Sequence, residues 1–182
     1  MKLQAPRIHP LPREQWTDEV KQTLEGDEPG RKVKKIFSTL ANHPDLLTNF
    51  AVFGTHIRFT STLGARERQL MILRTGWHHR CEYEWAQHRD AGLLAGLSVG
   101  EIERIKTGPE APEWQEQDVH LLTATDELLN HAFISDDTWQ ALSSFLSVQQ
   151  VMDLVFTVGQ YVTVCMALNS FGVELEDGQS GF

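Results

Sequence analysis

The stretch Arg80-Cys81-Glu82-Tyr83-Glu84-Trp85-Ala86-Gln87-His88 gathers a thiol, a carboxylate and an imidazole at intervals of three and four residues. In a helix these intervals place Cys81, Glu84 and His88 in one stripe about two turns long. A carboxylate one turn ahead of an imidazole holds its tautomer and raises its basicity, which makes a general acid/base pair. Cys81 falls near the start of that helix, where the dipole favours a thiolate. An i,i+4 Glu–His pair is also an ordinary surface pairing, so spacing alone leaves catalysis and simple solvation both open.

The neighbours of the stripe extend the set. His78 and His79 are adjacent and point apart on a helix, but at the start of a loop one of them can face a pocket. Together with Cys81, Glu84 and His88 they suggest a metal site, yet the spacing matches no zinc pattern, so neither metal nor cofactor is expected. His78, His79 and Arg80 are candidates for binding a substrate carboxylate or enolate oxygen. Trp85 and Tyr161 are candidates for the pocket wall, and the Tyr161 hydroxyl, set in an apolar segment, needs a partner. His120 and His131 read as solvent-exposed. Cys165 reads as a small core hydrophobe. The two cysteines lie far apart with no Cys-x-x-Cys, which suggests a reducing compartment and no disulfide framework.

Such a site needs a scaffold, and 182 residues suffice for one domain with a core of its own. With 41% hydrophobic and 23% charged residues, the chain is neither disordered nor a membrane protein by composition. A net charge of -9 argues against nucleic acid as a partner. The basic cluster Arg31, Lys32, Lys34 and Lys35 reads first as a solvated helix face, and second as a contact for phosphate or an acidic substrate. The first residues have no apolar core of a signal peptide, so a cytoplasmic location is expected. The segment from Leu154 to Val173 carries no charge and approaches the length of a membrane span. Thr157, Gln160, Thr163, Asn169 and Ser170 interrupt it, so it reads as a helix buried in a core or subunit interface.

The spacing of apolar residues predicts an all-α fold of about eight helices over residues 31–173. An irregular arm precedes it over 1–30, and a loose polar tail follows over 174–182. The arm holds one short helix, Trp16 to Leu24, with Ile8 and Leu11 placed to dock it. The body's helices are expected at Lys32–Leu40, Asp45–Thr60, Ala65–Trp77, Glu82–Leu94, Ser98–Lys106, Trp114–His131, Asp136–Leu146 and Val148–Phe171. Ser98 with Glu101 forms a capping box, and Gly96 closes the helix before it.

The run Arg66-Glu67-Arg68-Gln69-Leu70-Met71-Ile72-Leu73-Arg74-Thr75, followed by Cys81-Glu82-Tyr83-Glu84-Trp85-Ala86-Gln87-His88, resembles the carboxymuconolactone decarboxylase family, which includes the alkylhydroperoxidase D-like (AhpD-like) proteins. The later segments Ala91-Gly92 to Ser98, Ile134-Ser135-Asp136 and Phe156 to Tyr161 fit the longer members, and the likeness spans about residues 33–173. The resemblance implies an AhpD-like helical bundle that assembles as a homo-oligomer, a trimer or hexamer, with its site at a subunit interface. It also implies two chemistries. Peroxidase members use Cys-x-x-Cys-x-x-x-His with an upstream glutamate. Here the attacking cysteine's position is Glu84 and the upstream glutamate's is Gln69, so only Cys81 and His88 remain and a disulfide cycle on this helix is not available. The decarboxylase members lack the cysteine pair and carry a glutamate four residues before the histidine, as Glu84 and His88 stand here. The resemblance therefore implies a cofactor-independent lyase or isomerase acting on a small carboxylated lactone or related catabolic acid, with His88 donating a proton and Glu84 orienting it. The alternatives are a peroxidase-like antioxidant protein using Cys81 alone, and a non-catalytic helical oligomer that binds a small ligand.

Overall fold

The architecture is that of a computed structural model, which describes residues 3–182. Among the described residues there are nine α-helices and no strands. They are α1 (Asp18–Glu25), α2 (Lys35–Leu40), α3 (Pro44–Thr55), α4 (Ala65–His78), α5 (Glu82–Leu94), α6 (Val99–Ile105), α7 (Glu116–His131), α8 (Asp136–Ser143) and α9 (Val148–Phe171). A 3-10 turn at Arg13–Gln15 precedes α1, and a π-helical turn, His56–Thr60, continues α3.

Helix α4 is the hub, packed on α5, α7 and α9. Its Leu70, Met71 and Leu73 meet Trp85, Leu121, Leu122, Leu142, Leu154 and Val158 in the larger core. Two arginines bind it laterally. Arg74 donates to both oxygens of Asp126 at 2.6 and 2.8 Å and to the Ile105 and Lys106 carbonyls. Arg66 donates to Asp118 and to Glu101, which ties α4 to α7 and α6. A smaller core lies under the N-terminal arm, where Trp16, Val20 and Leu24 pack with Ile36, Leu40, Leu47, Cys81, Tyr83, Cys165 and Leu168.

Helix α9 is the one described helix long and apolar enough to cross a membrane. Its apolarity has a packing cause, because Val151, Leu154, Val158, Tyr161, Val164, Cys165 and Leu168 are buried against the rest of the bundle. At its start, Asp153 accepts from the Thr62 backbone N–H at 2.6 Å, from the hydroxyls of Thr62 and Ser61, and bonds His56 at 2.9 Å. Burial alone would raise the Asp153 carboxyl, but these donors outweigh it and hold the group below the usual aspartate range.

The start of α2 and the fate of the tail differ from the sequence expectation. Helix α2 starts at Lys35 rather than Lys32, because Glu176 caps it by accepting from the Lys35 N–H at 2.7 Å and so leaves Arg31–Lys34 extended. The second helical run does reach Thr60 as expected, its last turn π-helical, and there His56 reaches Asp153. The tail expected to be loose is docked. Lys35 Nζ holds the Leu175 carbonyl and Asp177, Tyr83 Oη donates to Glu176, Gln87 donates to Gln179, and Phe182 sits edge-on to Trp77 and Trp85. In the arm, Leu11 packs on the smaller core and its N–H bonds Ser38 O, whereas Ile8 docks through its backbone N–H to Phe171 O and leaves its side chain exposed.

Candidate active site

The turn between α4 and α5 sets the register of the site. Helix α4 ends at His78, and Arg80 adopts a left-handed conformation with φ 51° that a glycine would take without cost. The Cys81 N–H returns to Gly76 O at 2.9 Å, so the chain re-enters a helix at Glu82 with Cys81 as the N-cap. That hairpin lays Gln69 of α4 beside His88 of α5.

His88 is held at both ring nitrogens. Nδ1 lies 2.7 Å from Gln69 Oε1, and Nε2 lies 2.7 Å from Glu84 Oε1. Gln69, His88 and Glu84 thus form one continuous hydrogen-bonded chain from α4 into α5. The side chains of Glu84 and His88 are 6% and 14% exposed, so their contact is largely shielded from bulk water. Tyr161 from α9 packs edge-on to the imidazole at 5.0 Å between centroids. Burial, and after it the Glu84 charge, push the Tyr161 phenol above its usual range, so it stays a hydroxyl donor.

Glu84, His88, Gln69 and Tyr161 all line one cavity of about 490 Å³. Its apolar wall includes Ile36, Phe37, Phe50, Ile57, Ile72 and Val164. Five cations also line it: Arg31, Lys32, Lys34, Arg58 and Arg68. Lys34 has an exposed stem but a partly desolvated ammonium. That desolvation and, after it, the Arg58 charge lower its pKa, while the carboxylates of Glu84 and Glu176 oppose them. The π turn supplies both Ile57 and Arg58, one buried in the wall and the other exposed at the rim.

The structure thus brings three of the sequence-predicted residues, Glu84, His88 and Tyr161, to one cavity. It places the others elsewhere. Trp85 is fully buried on the far side of α5, against Trp77 and Phe182. The Arg80 guanidinium lies 4.4 Å over the Trp77 ring. His79 bonds the Thr75 carbonyl through Nδ1, and His78 stacks beside it, exposed. Among the described residues no three His, Cys, Asp or Glu side chains converge as metal ligands would. Cys81 and Cys165 are free thiols, distant in sequence, and both are buried in the smaller core, Cys165 as the small core hydrophobe the sequence suggests. Gln69, Lys34 and Arg58 were missed as site residues. The basic cluster at 31–35 was the available signal for Lys34, and the family resemblance, which sets Gln69 at the upstream glutamate's position, was the signal for Gln69.

The carboxymuconolactone decarboxylase family model matches residues 44–127, which hold α4, α5 and the whole of the Glu84–His88–Gln69 arrangement. Solved structures agree on the fold. An uncharacterized peroxidase-related protein from Silicibacter sp. TM1040 superimposes with a TM-score of 0.80 at 16% identity, over 97% of this chain and 95% of that one. The alkylhydroperoxidase AhpD core of a peroxidase-related protein from Ralstonia eutropha JMP134 gives 0.80 at 16%, over 95% of each. The debrominase Bmp8 with 2,3,4-tribromopyrrole bound gives 0.77 at 10%, over 96% and 94%. Identities this low establish a shared fold and no shared chemistry. No curated protein matches the chain.

Proposed function

We propose that the chain is a cofactor-independent acid/base enzyme, a lyase or isomerase, that acts on a small carboxylated substrate of the lactone-acid type. One observation carries this reading: Glu84 and His88 are buried together with Oε1 and Nε2 2.7 Å apart, and both residues line a cavity ringed by cations. A substrate carboxylate is matched by Lys34 and Arg58, and its ring by Phe37, Phe50 and Ile72.

The roles within the pair differ from those the spacing suggested. Both nitrogens of His88 are occupied, by Gln69 and by Glu84. The Glu84 carboxyl is then the group that meets the substrate, and His88 stores the proton and passes it through Glu84. Loss of carbon dioxide leaves an enolate whose charge Lys34, Arg58 and the Tyr161 hydroxyl stabilise; the proton held between Glu84 and His88 then quenches its carbon. Isomerisation uses the same groups, with Glu84 removing a proton and returning it at a neighbouring carbon.

The test is turnover of carboxymuconolactone in D2O, followed by NMR for carbon dioxide release and deuterium incorporation. The folded wild type is expected to give both, and His88→Ala to lose at least about a hundredfold, the usual scale for a general acid/base group. Equal rates in wild type and variant would end this reading.

A further inference from the structure

Arg31 and Lys32 belong to the basic cluster of the sequence, and the acid/base reading gives neither of them a role. The chain carries a net charge of -9, yet five cations line the cavity that holds Glu84 and His88. Among the described residues, Glu84 is the single carboxylate lining it with them. Cations elsewhere are neutralised in place: Lys35 pairs with Asp177, Arg66 with Asp118 and Arg74 with Asp126. Among the described residues, no carboxylate stands within ion-pair distance of Arg31, Lys32, Lys34, Arg58 or Arg68.

The fold keeps these charges unanswered. The tail brings two carboxylates near the cluster, and Lys35 takes both. Glu176 accepts from the Lys35 N–H at 2.7 Å and from the Tyr83 hydroxyl at 2.6 Å, and Asp177 lies 3.1 Å from Lys35 Nζ. Arg31, Lys32 and Lys34, on the extended segment before α2, therefore stay exposed while lining the cavity. Arg68 is only half-buried, and its guanidinium donates to the carbonyls of Leu63 and Arg58, which pins the π turn that carries Arg58. Unpaired like charges repel one another, and a cleft lined by one sign concentrates ligands of the other. An anion is the natural occupant.

One carboxylate does not balance the set. Glu84 and a substrate carboxylate on Lys34 and Arg58 answer two of the five charges. A second carboxylate adds one more, whereas a phosphate monoester adds about two near pH 7. Its free oxygens also accept from a guanidinium fork and an ammonium together, the two donors that neighbouring Arg31 and Lys32 supply. We propose that Arg31 and Lys32 form a phosphoryl subsite at the mouth of the cavity, so that the substrate is an organic phosphate whose carboxylated end reaches Glu84 and His88. The subsite stands on the unpaired charges; the placing of the reacting end rests on the acid/base reading.

Isothermal titration calorimetry on the folded wild type tests it by comparing phosphoglycolate with succinate, two anions of similar length that differ in one end group. Phosphoglycolate is expected to bind about tenfold tighter or more, the scale of an added charge-assisted contact. R31Q/K32Q changes two exposed positions and should bring phosphoglycolate down to the succinate level while leaving succinate nearly unchanged. Should that variant fail to fold, Arg31→Gln and Lys32→Gln taken singly are expected to give the same result with a smaller loss each. In E84Q the preference for phosphoglycolate should persist, so loss of the acid/base function and loss of the subsite are read separately. Equal affinities in wild type, a preference that survives in R31Q/K32Q, or no binding of either anion at millimolar concentration each overturn the proposal.

Discussion

Replacing Glu84 by Gln keeps the shape of the side chain and removes the charge that His88 meets. Two quantities follow. For stability, the lost contact is a charge-assisted hydrogen bond at 2.7 Å between groups 6% and 14% exposed. Such bonds contribute about 1.5–3 kcal/mol, and the new amide recovers part of it, so E84Q should cost about 1–2 kcal/mol. In a domain of this size, that lowers Tm by about 2–8 °C. For chemistry, the variant loses the group that transfers the proton, worth about 10²–10⁴ in kcat, or about 3–5 kcal/mol of barrier. The chemical loss therefore exceeds the structural one. Because Glu84 and His88 handle one proton between them, E84Q/H88Q should be no slower than the worse single variant. Thermal melts and steady-state rates on carboxymuconolactone measure both quantities. A drop in Tm with kcat kept within tenfold would mean that the pair is only a structural clasp; additive losses in the double variant would refute the shared proton.

Lys34→Met should raise KM about 10–100-fold with kcat nearly unchanged, the scale of one charge-assisted contact to a bound carboxylate. The lowered pKa of Lys34 means that it is neutralised at a lower pH than a free lysine, near 10.4, so affinity for an anion should fall before that pH is reached in wild type and show no such step in K34M. Asp153→Asn should destabilise the fold by about 2–4 kcal/mol, since four donors converge on that carboxylate. Because the folded-state pKa of Asp153 is depressed, its contribution is complete above the unfolded value near 3.9 and is lost as pH falls through the folded one; acid melts should show that loss in wild type and not in D153N. The outer face of α9 exposes Val148, Met152, Phe156 and Met166, the surface a homo-oligomer would cover, so Phe156→Asp should shift the species seen by light scattering toward monomer; an unchanged mass would place any interface elsewhere.

How much of this was legible in the sequence depends on whether one helix or several set each feature. Helix positions follow from apolar spacing and caps such as Ser98 with Glu101, which are local, so α4 through α9 lie within a few residues of expectation. The start of α2 and the fate of the tail did not, because Glu176 caps a helix 141 positions earlier in the chain. The stripe on α5 was likewise local and correct as geometry, but a stripe does not say what covers it. The Cys81 end is sealed by α9 and the N-terminal arm, which buries the thiol in the smaller core. The His88 end opens beneath α2 and the π turn, which turns a possible surface ion pair into the floor of a cavity. Helix α9 closes both ends of that stripe. Tyr161, on one turn of α9, packs against His88, while Cys165, one turn later, lies in the smaller core with Cys81. A shift of α9 against α5 would therefore disturb both ends together.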